Sequence, residues 1–314
     1  MTCADCDIEC QRFGKHRNGL RRFRCPQCKR TFTEPHKPAL DGMYISEEKV
    51  VTVLQLLVEG NSIRSTMRIT GLDQNTIMKV LVRAGEKCEK LMGKLIVNIP
   101  VKDVQCDEIW GYVQKKEAHK NPWEADDNSI GDAYCFVAIE RNSKLVLNFA
   151  LGPRSQATTD QFIEGLRAAT AQQRFQITTD GFQPYVSAIT TTLSDRCDFA
   201  QLIKVYASPR EGESRYSPAD VVEALPKPIM GDPERSKICT SHIERQNLTI
   251  RMGMRRMTRL TNAFSKKWEN LWAAYCLWFA YYNFCRIHRT LRVTPAMEAK
   301  IADHVWELKE LLAW

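Results

Sequence analysis

At 314 residues the chain has material for two or three domains and at least one large core, and its 44% hydrophobic and 26% charged residues are ordinary for a folded protein. No run of 18 apolar residues occurs, which excludes a membrane-spanning helix, and Met1 is not followed by a signal peptide's charged start and apolar core, so a cytoplasmic address with reduced cysteines is expected. The net charge of +8 is uneven: residues 1–40 carry nine Lys/Arg against four Asp/Glu, and residues 245–268 carry seven Lys/Arg and no acid, which reads either as two polyanion-contacting surfaces or as solvated helix faces.

Twelve cysteines in a reducing compartment are better tested as metal ligands than as disulfides. Cys3-Ala-Asp-Cys6 and Cys25-Pro-Gln-Cys28 are two C-x2-C knuckles, the spacing of a four-thiolate zinc site. Each knuckle offers two sulfurs from one tight turn, so two knuckles complete a tetrahedron around one structural Zn2+. Between them, strand-like residues flank Asn18-Gly19, a hairpin turn signal, which makes the segment a zinc ribbon. Cys10 is an extra thiol that could replace Cys6. Six cations lie between Cys10 and Cys25 (Arg12, Lys15, Arg17, Arg21, Arg22 and Arg24), and of these Arg21, Arg22 and Arg24 are expected to face DNA.

Pro35, Pro38 and Asp41-Gly42 read as a linker. Ser46 then caps a helix with Val50, Val53, Leu54, Leu57 and Val58 at helical spacing, ended by Gly60. Ser62 opens a short second helix closed by Gly71, and Asp73 caps a third with Ile77, Val80, Leu81 and Ala84 inward. Helix, tight turn, short helix, glycine turn and longer helix form a helix-turn-helix pattern, whose third helix offers Gln74, Asn75, Lys79 and Arg83 to a major groove. A three-helix bundle without DNA affinity has the same periodicity.

From residue 100 the pattern becomes short apolar runs. Strands are expected at Val101–Val113, Asp132–Ile139, Lys144–Leu151, Phe175–Thr179 and Gln201–Tyr206, with helices at Gln156–Ala169 and Pro184–Thr191. Three successive strands, helix, strand, helix, strand is the order of a ribonuclease-H-like fold. Asp107 lies in the first strand, Asp180 closes the fourth before Gly181, and Glu244 opens a basic helix. Three carboxylates converging from separate elements can hold two Mg2+ (or Mn2+) ions for in-line displacement at phosphorus. Glu108 is the alternative to Asp107, but successive strand residues face opposite sides, so only one of the two is expected at the site. The Pro- and charge-rich residues 207–239 read as a mobile insertion.

The stretch Thr240-Ser-His-Ile-Glu-Arg-Gln-Asn-Leu-Thr249, with Arg251 seven positions after Glu244, resembles the third-carboxylate helix of DDE transposases of the IS-one family of insertion sequences. Asp107-Glu-Ile-Trp110, Asp180-Gly-Phe182 and the tail Tyr282-Asn-Phe-Cys-Arg286-Ile-His288-Arg-Thr-Leu291 are similar to further family motifs, and the zinc ribbon and helix-turn-helix extend the likeness over nearly the whole chain. The resemblance implies a multidomain protein: zinc ribbon (1–38), helix-turn-helix domain (44–95), α/β ribonuclease-H-like catalytic domain (100–260) and helical C-terminal region (261–314). It implies a transposase that binds the terminal inverted repeats of an insertion sequence, cleaves them and transfers the strands to target DNA. Asp107, Asp180 and Glu244 would then be catalytic. Arg245, Arg251, Arg255 and Arg256 would meet phosphates, with Arg251 on the face of Glu244. The partners implied are double-stranded DNA, in the nucleoid, and a second copy of the chain. His242 reads as a structural histidine, with orienting metal or phosphate the alternative, His288 as packing or touching DNA, and the aromatic run Trp268–Phe284 as core or dimer interface. Two other readings use the same residues: a non-catalytic DNA-binding regulator, and a metal-dependent nuclease without strand transfer.

Overall fold

The computed structural model describes residues 1–16, 20–34, 40, 43–207 and 221–313. The hairpin turn expected at Asn18-Gly19, the Pro35–Gly42 linker signals and residues 208–220 of the expected insertion lie outside these residues.

Strands β1 (Gln11–Lys15), β2 (Arg21–Arg24) and β3 (Thr31–Thr33) form a small antiparallel sheet. Phe23 and Phe32, opposite each other in register, stack at 6.3 Å and cover buried Cys3, Cys10 and Cys25. This cluster is separate from the main core and holds few large apolar side chains, so a metal ion would supply much of its stability.

The three helices begin where their capping residues stand. The Ser46 hydroxyl accepts the Lys49 N–H ahead of α1 (Glu47–Val58), the Ser62 hydroxyl accepts from Ser65 ahead of α2 (Ile63–Thr70), and Asp73 accepts from Asn75 ahead of α3 (Gln74–Leu95). Gly71 ends α2 in the left-handed conformation at φ +68°, which glycine adopts without a Cβ penalty. Gly60, at φ +76°, follows α1, and a Cβ there would stand 2.9 Å from the Met252 carbonyl oxygen.

The main sheet has six strands in the order β6-β5-β4-β7-β8-β9. Strands β4 (Asp103–Val113), β5 (Gly131–Glu140) and β6 (Val146–Gly152) pair antiparallel with one another in turn. Helix α4 (Gln156–Ala169) then leads to β7 (Phe175–Thr179), parallel to β4, and α5 (Pro184–Thr192) leads to β8 (Cys197–Tyr206), parallel to β7. The first five strands reproduce the expected ribonuclease-H-like order. The sixth falls inside the stretch 207–239 that reads as an insertion: β9 (Val221–Met230) pairs antiparallel with β8 along its length. Pro226 and Pro228 argue against a central strand, but an edge strand tolerates missing N–H groups.

Alternation along the strands sends the two faces to different helices. Phe136 packs with Phe162 of α4 and Tyr185 of α5, while Phe149 packs with Trp272 and Phe279 of α7 (Trp268–Ala280). Helix α6 (Ser241–Gly253) lies along β4 beside α7. The aromatic run of α7 is therefore core: Tyr275, Trp278 and Phe279 are fully buried. Helix α3 continues well past the turns that complete a helix-turn-helix, and its second half crosses α7 so closely that a Cβ on Gly85 would stand 2.6 Å from the Ala273 Cα. The three helices, the sheet and the C-terminal helices share one continuous apolar core.

Candidate active site and metal centre

The two cysteine knuckles have the same local geometry. Each donates the N–H of the residue after its second cysteine back to the carbonyl of its first, Asp7 to Cys3 at 2.9 Å and Lys29 to Cys25 at 3.1 Å, and each of these residues takes a positive φ. The folded turns bring the sulfurs of Cys3, Cys6, Cys25 and Cys28 within 4.8 Å of one another. Cys3 and Cys28 stand 3.7 Å apart, against the ~3.8 Å edge of a zinc–thiolate tetrahedron. Backbone N–H groups of Cys28 and Gln27 hold the Cys25 thiol down at about 6, the form that binds metal. Cys10 is outside this set; its thiol points to the Ile8 carbonyl. The four-cysteine cluster can hold zinc. Beside it, the Arg22 and Arg24 guanidinium groups lie over the half-exposed Phe13 ring at 5.5 and 5.2 Å, with Arg21 exposed on the same strand.

The acidic residues meet at the rim of the main sheet, around a cleft of about 500 Å3 lined by Asp107, Asp180 and Glu244 together with Arg154 and Lys204. Asp107 points to the α6 face of β4, where its Oδ2 accepts from the Asn247 side chain at 2.8 Å and its Oδ1 from the Glu108 N–H at 2.9 Å. Asp180 ends β7; its Oδ1 accepts the Phe182 N–H at 2.9 Å, an Asx turn that keeps the carboxylate at the rim. Burial, with Glu108 and Asp180 adding repulsion, pushes Asp107 up to about 7.

Glu108 was expected to point away from the site, and the structure corrects this. It does take the opposite face of β4, paired with Phe136 beneath α5. Where β4 runs on past its last pairing with β7, however, its carboxylate reaches around the edge, and oxygens of Asp107, Glu108 and Asp180 lie within 4.8 Å of one another. Its side chain is only 3% exposed and is held by Arg154 at 3.0 Å; Arg154 also approaches Asp180 at 3.5 Å and stacks over Phe182 at 4.0 Å. Among the described residues, neither the second Glu108 oxygen nor the buried Tyr185 hydroxyl makes a hydrogen bond of ordinary geometry. Burial raises Glu108 as well.

Glu244 lines the same cleft from α6 but stands outside that tightest group, because Lys204 of β8 and the Thr240 hydroxyl hold its Oε1. The docking of α6 explains how Glu244 arrives there. The Gln105 side-chain oxygen, from β4, accepts the N–H groups of His242 and Ile243 at 3.0 and 3.1 Å, satisfying the helix N-terminus, and Asn247 ties the next turn to Asp107. Gln105, Asn247, Arg154 and Lys204 were not singled out from the sequence. The signals were slight: a glutamine inside an apolar strand, and an asparagine three residues after Glu244 on the same helix face.

The other expected DNA contacts divide. Gln74, Asn75, Lys79 and Arg83 are exposed on α3, with Arg83 paired to Glu86 at 3.1 Å, and Arg245 and Arg255 are exposed beyond the cleft. Arg251 is committed elsewhere: it donates to the Met257 and Trp110 carbonyls at 3.0 and 3.1 Å. Arg256 is turned inward to the Ser265 hydroxyl and the Met78 sulfur, and burial lowers it to about 10. His242 approaches Lys144 at 3.2 Å, and His288 bonds Thr290 at 3.0 Å.

No protein-family profile matches the chain, and no curated protein matches it in sequence. Among solved structures it is similar to a piggyBac transposase synaptic complex with hairpin DNA, at 10% identity and a TM-score of 0.36 over 88% of this chain and 72% of that one. A likeness of that size decides nothing about this chain.

Proposed function

We propose that this chain is a metal-dependent DNA strand-cleaving and strand-transferring enzyme, a transposase of the DDE kind acting at the ends of an insertion sequence. The observation that carries this reading is the single cleft lined by Asp107, Asp180 and Glu244, three carboxylates from β4, the end of β7 and α6 in a ribonuclease-H-like order. Asp107 and Asp180, with Glu108 or Glu244, would hold Mg2+ or Mn2+, hard cations suited to oxygen ligands. Bound there, such ions activate a water or 3′-hydroxyl and neutralise the leaving oxygen. Asn247 orients the Asp107 carboxylate from α6, while Arg154 and Lys204 hold Glu108 and Glu244. The ribbon, with Zn2+ on Cys3, Cys6, Cys25 and Cys28, and the exposed face of α3 would grip duplex DNA, with two copies needed to bring two ends together.

The test is incubation with the DNA that flanks the chain's own reading frame, in Mg2+, beside Asp180→Ala. Nicked and joined products that vanish in Asp180→Ala are expected. Binding without nicking would overturn the enzyme reading in favour of a regulator, and nicking without joining would favour a nuclease. Glu108→Gln and Glu244→Gln, compared in the same assay, identify the third carboxylate: the ligand's loss lowers the rate by about 10² or more, on the scale of a lost active-site interaction.

A further inference from the structure

A larger cleft, of about 710 Å3, lies away from the carboxylates, between α1–α3 on one side and the 254–278 segment on the other. Arg64, Arg255, Arg256 and Lys266 line it, side-chain amides stand between them, and none of its lining residues is acidic. None of these four cations has an ion-pair partner among the described residues, and Arg64, Arg255 and Lys266 are exposed. Arg256 is turned inward to Ser265 and Met78, but gathering the three exposed charges of Arg64, Arg255 and Lys266 around one concavity costs free energy that a polyanion offsets. The rest of the wall is apolar, with one accessible ring: Phe264 is half-buried there, one side packed on Tyr112 at 4.9 Å, while Trp278 lies in the core behind it. Cations for phosphates, amides for base edges and the half-buried Phe264 ring for stacking are the chemistry of an unpaired strand, since bases inside a duplex cannot present their faces.

We propose that this cleft binds a short single-stranded DNA segment. The proposal rests on the reading of the chain as a DNA-handling enzyme for its choice of ligand, but not on the carboxylate chemistry. It makes the first residue of α3, Gln74, a wall of the single-strand site, whereas the sequence reading placed it in a major groove.

The experiment is fluorescence anisotropy on the full chain, without Mg2+, using labelled oligothymidylate of about eight nucleotides, within the span of such sites, and a blunt duplex of equal length. Arg64→Glu with Lys266→Glu is expected to weaken oligothymidylate binding about tenfold and to lower the salt slope by about 1.4, for two lost phosphate contacts at about 0.7 each. Duplex binding should change much less. Both residues are exposed, so the thermal transition should persist; should the reversed charges disturb it, Arg64→Gln with Lys266→Gln reads the same contacts. Unchanged oligothymidylate affinity in a folded variant, or an equal loss on duplex, overturns the proposal. The two readings fail separately: absent nicking with intact oligothymidylate binding condemns only the carboxylate chemistry, and the converse only this cleft.

Discussion

Asp107 carries a conflict that a residue identity alone does not reveal. Three other carboxylates act on it and burial removes its water, so the folded chain holds its proton up to about 7. A carboxyl whose pKa is raised on folding contributes stability that is full below the unfolded value, near 4, and lost as pH rises through 7. Metal-free protein should therefore melt lower at pH 8 than at pH 5. Asp107→Asn should remove that share of the slope, raising the melting temperature at pH 8 while abolishing Mg2+-dependent nicking. Equal melting of the two proteins at pH 8 would show that Asp107 bears no such strain. The elements that carry Asp107, Asp180 and Glu244 were legible because an acid inside an apolar strand, a strand end and a helix start each leave sequence marks. The role of Glu108 was not, since its approach depends on how far a side chain reaches around the edge of a strand.

At the scale of elements, the ribbon and the α1–α2–α3 unit were the most legible parts. Their signals are local: cysteine pairs whose turns recur in the structure, and Ser46, Ser62 and Asp73 capping the helices they precede. The ribbon's apolar cluster is detached from the main core, which makes its metal dependence separable. Cys25→Ser should abolish roughly stoichiometric zinc, measured by atomic emission, and leave the main thermal transition within a few degrees. A collapse of both together would mean that the ribbon supports the core. Helix α6 was legible as a basic helix carrying Glu244, but its attachment through Gln105 and Asn247 was not, because those bonds join residues about 140 positions apart. For the same reason Arg251, on the expected face of α6, was read as a phosphate contact, although it closes two backbone carbonyls.

For the whole molecule, one apolar core runs across the domain division expected at residue 95. Cys88, Leu91 and Met92 on the second half of α3 are buried, and Gly85 lets α3 and α7 approach to backbone contact. An isolated 44–95 fragment exposes that face and should show no cooperative melt by circular dichroism. A sharp transition in the fragment would restore the independent helix-turn-helix domain. This shared helix also creates the acid-free cleft, whose walls come from residues 57–81 and 254–278.

What the sequence determined by itself was what short-range chemistry controls: the cysteine knuckles, the caps, the strand and helix order, and the elements that carry Asp107, Asp180 and Glu244. Only the tertiary structure decided which charges remain free. It turned Arg256 and Arg251 inward, drew Glu108 to Asp180, fastened Glu244 to Lys204 and left Arg64 and Lys266 around a cavity with no acid among its described lining residues. The physical reason is that a cap or knuckle is completed within a few residues of backbone, whereas the burial and pairing of a charge depend on every element that packs around it.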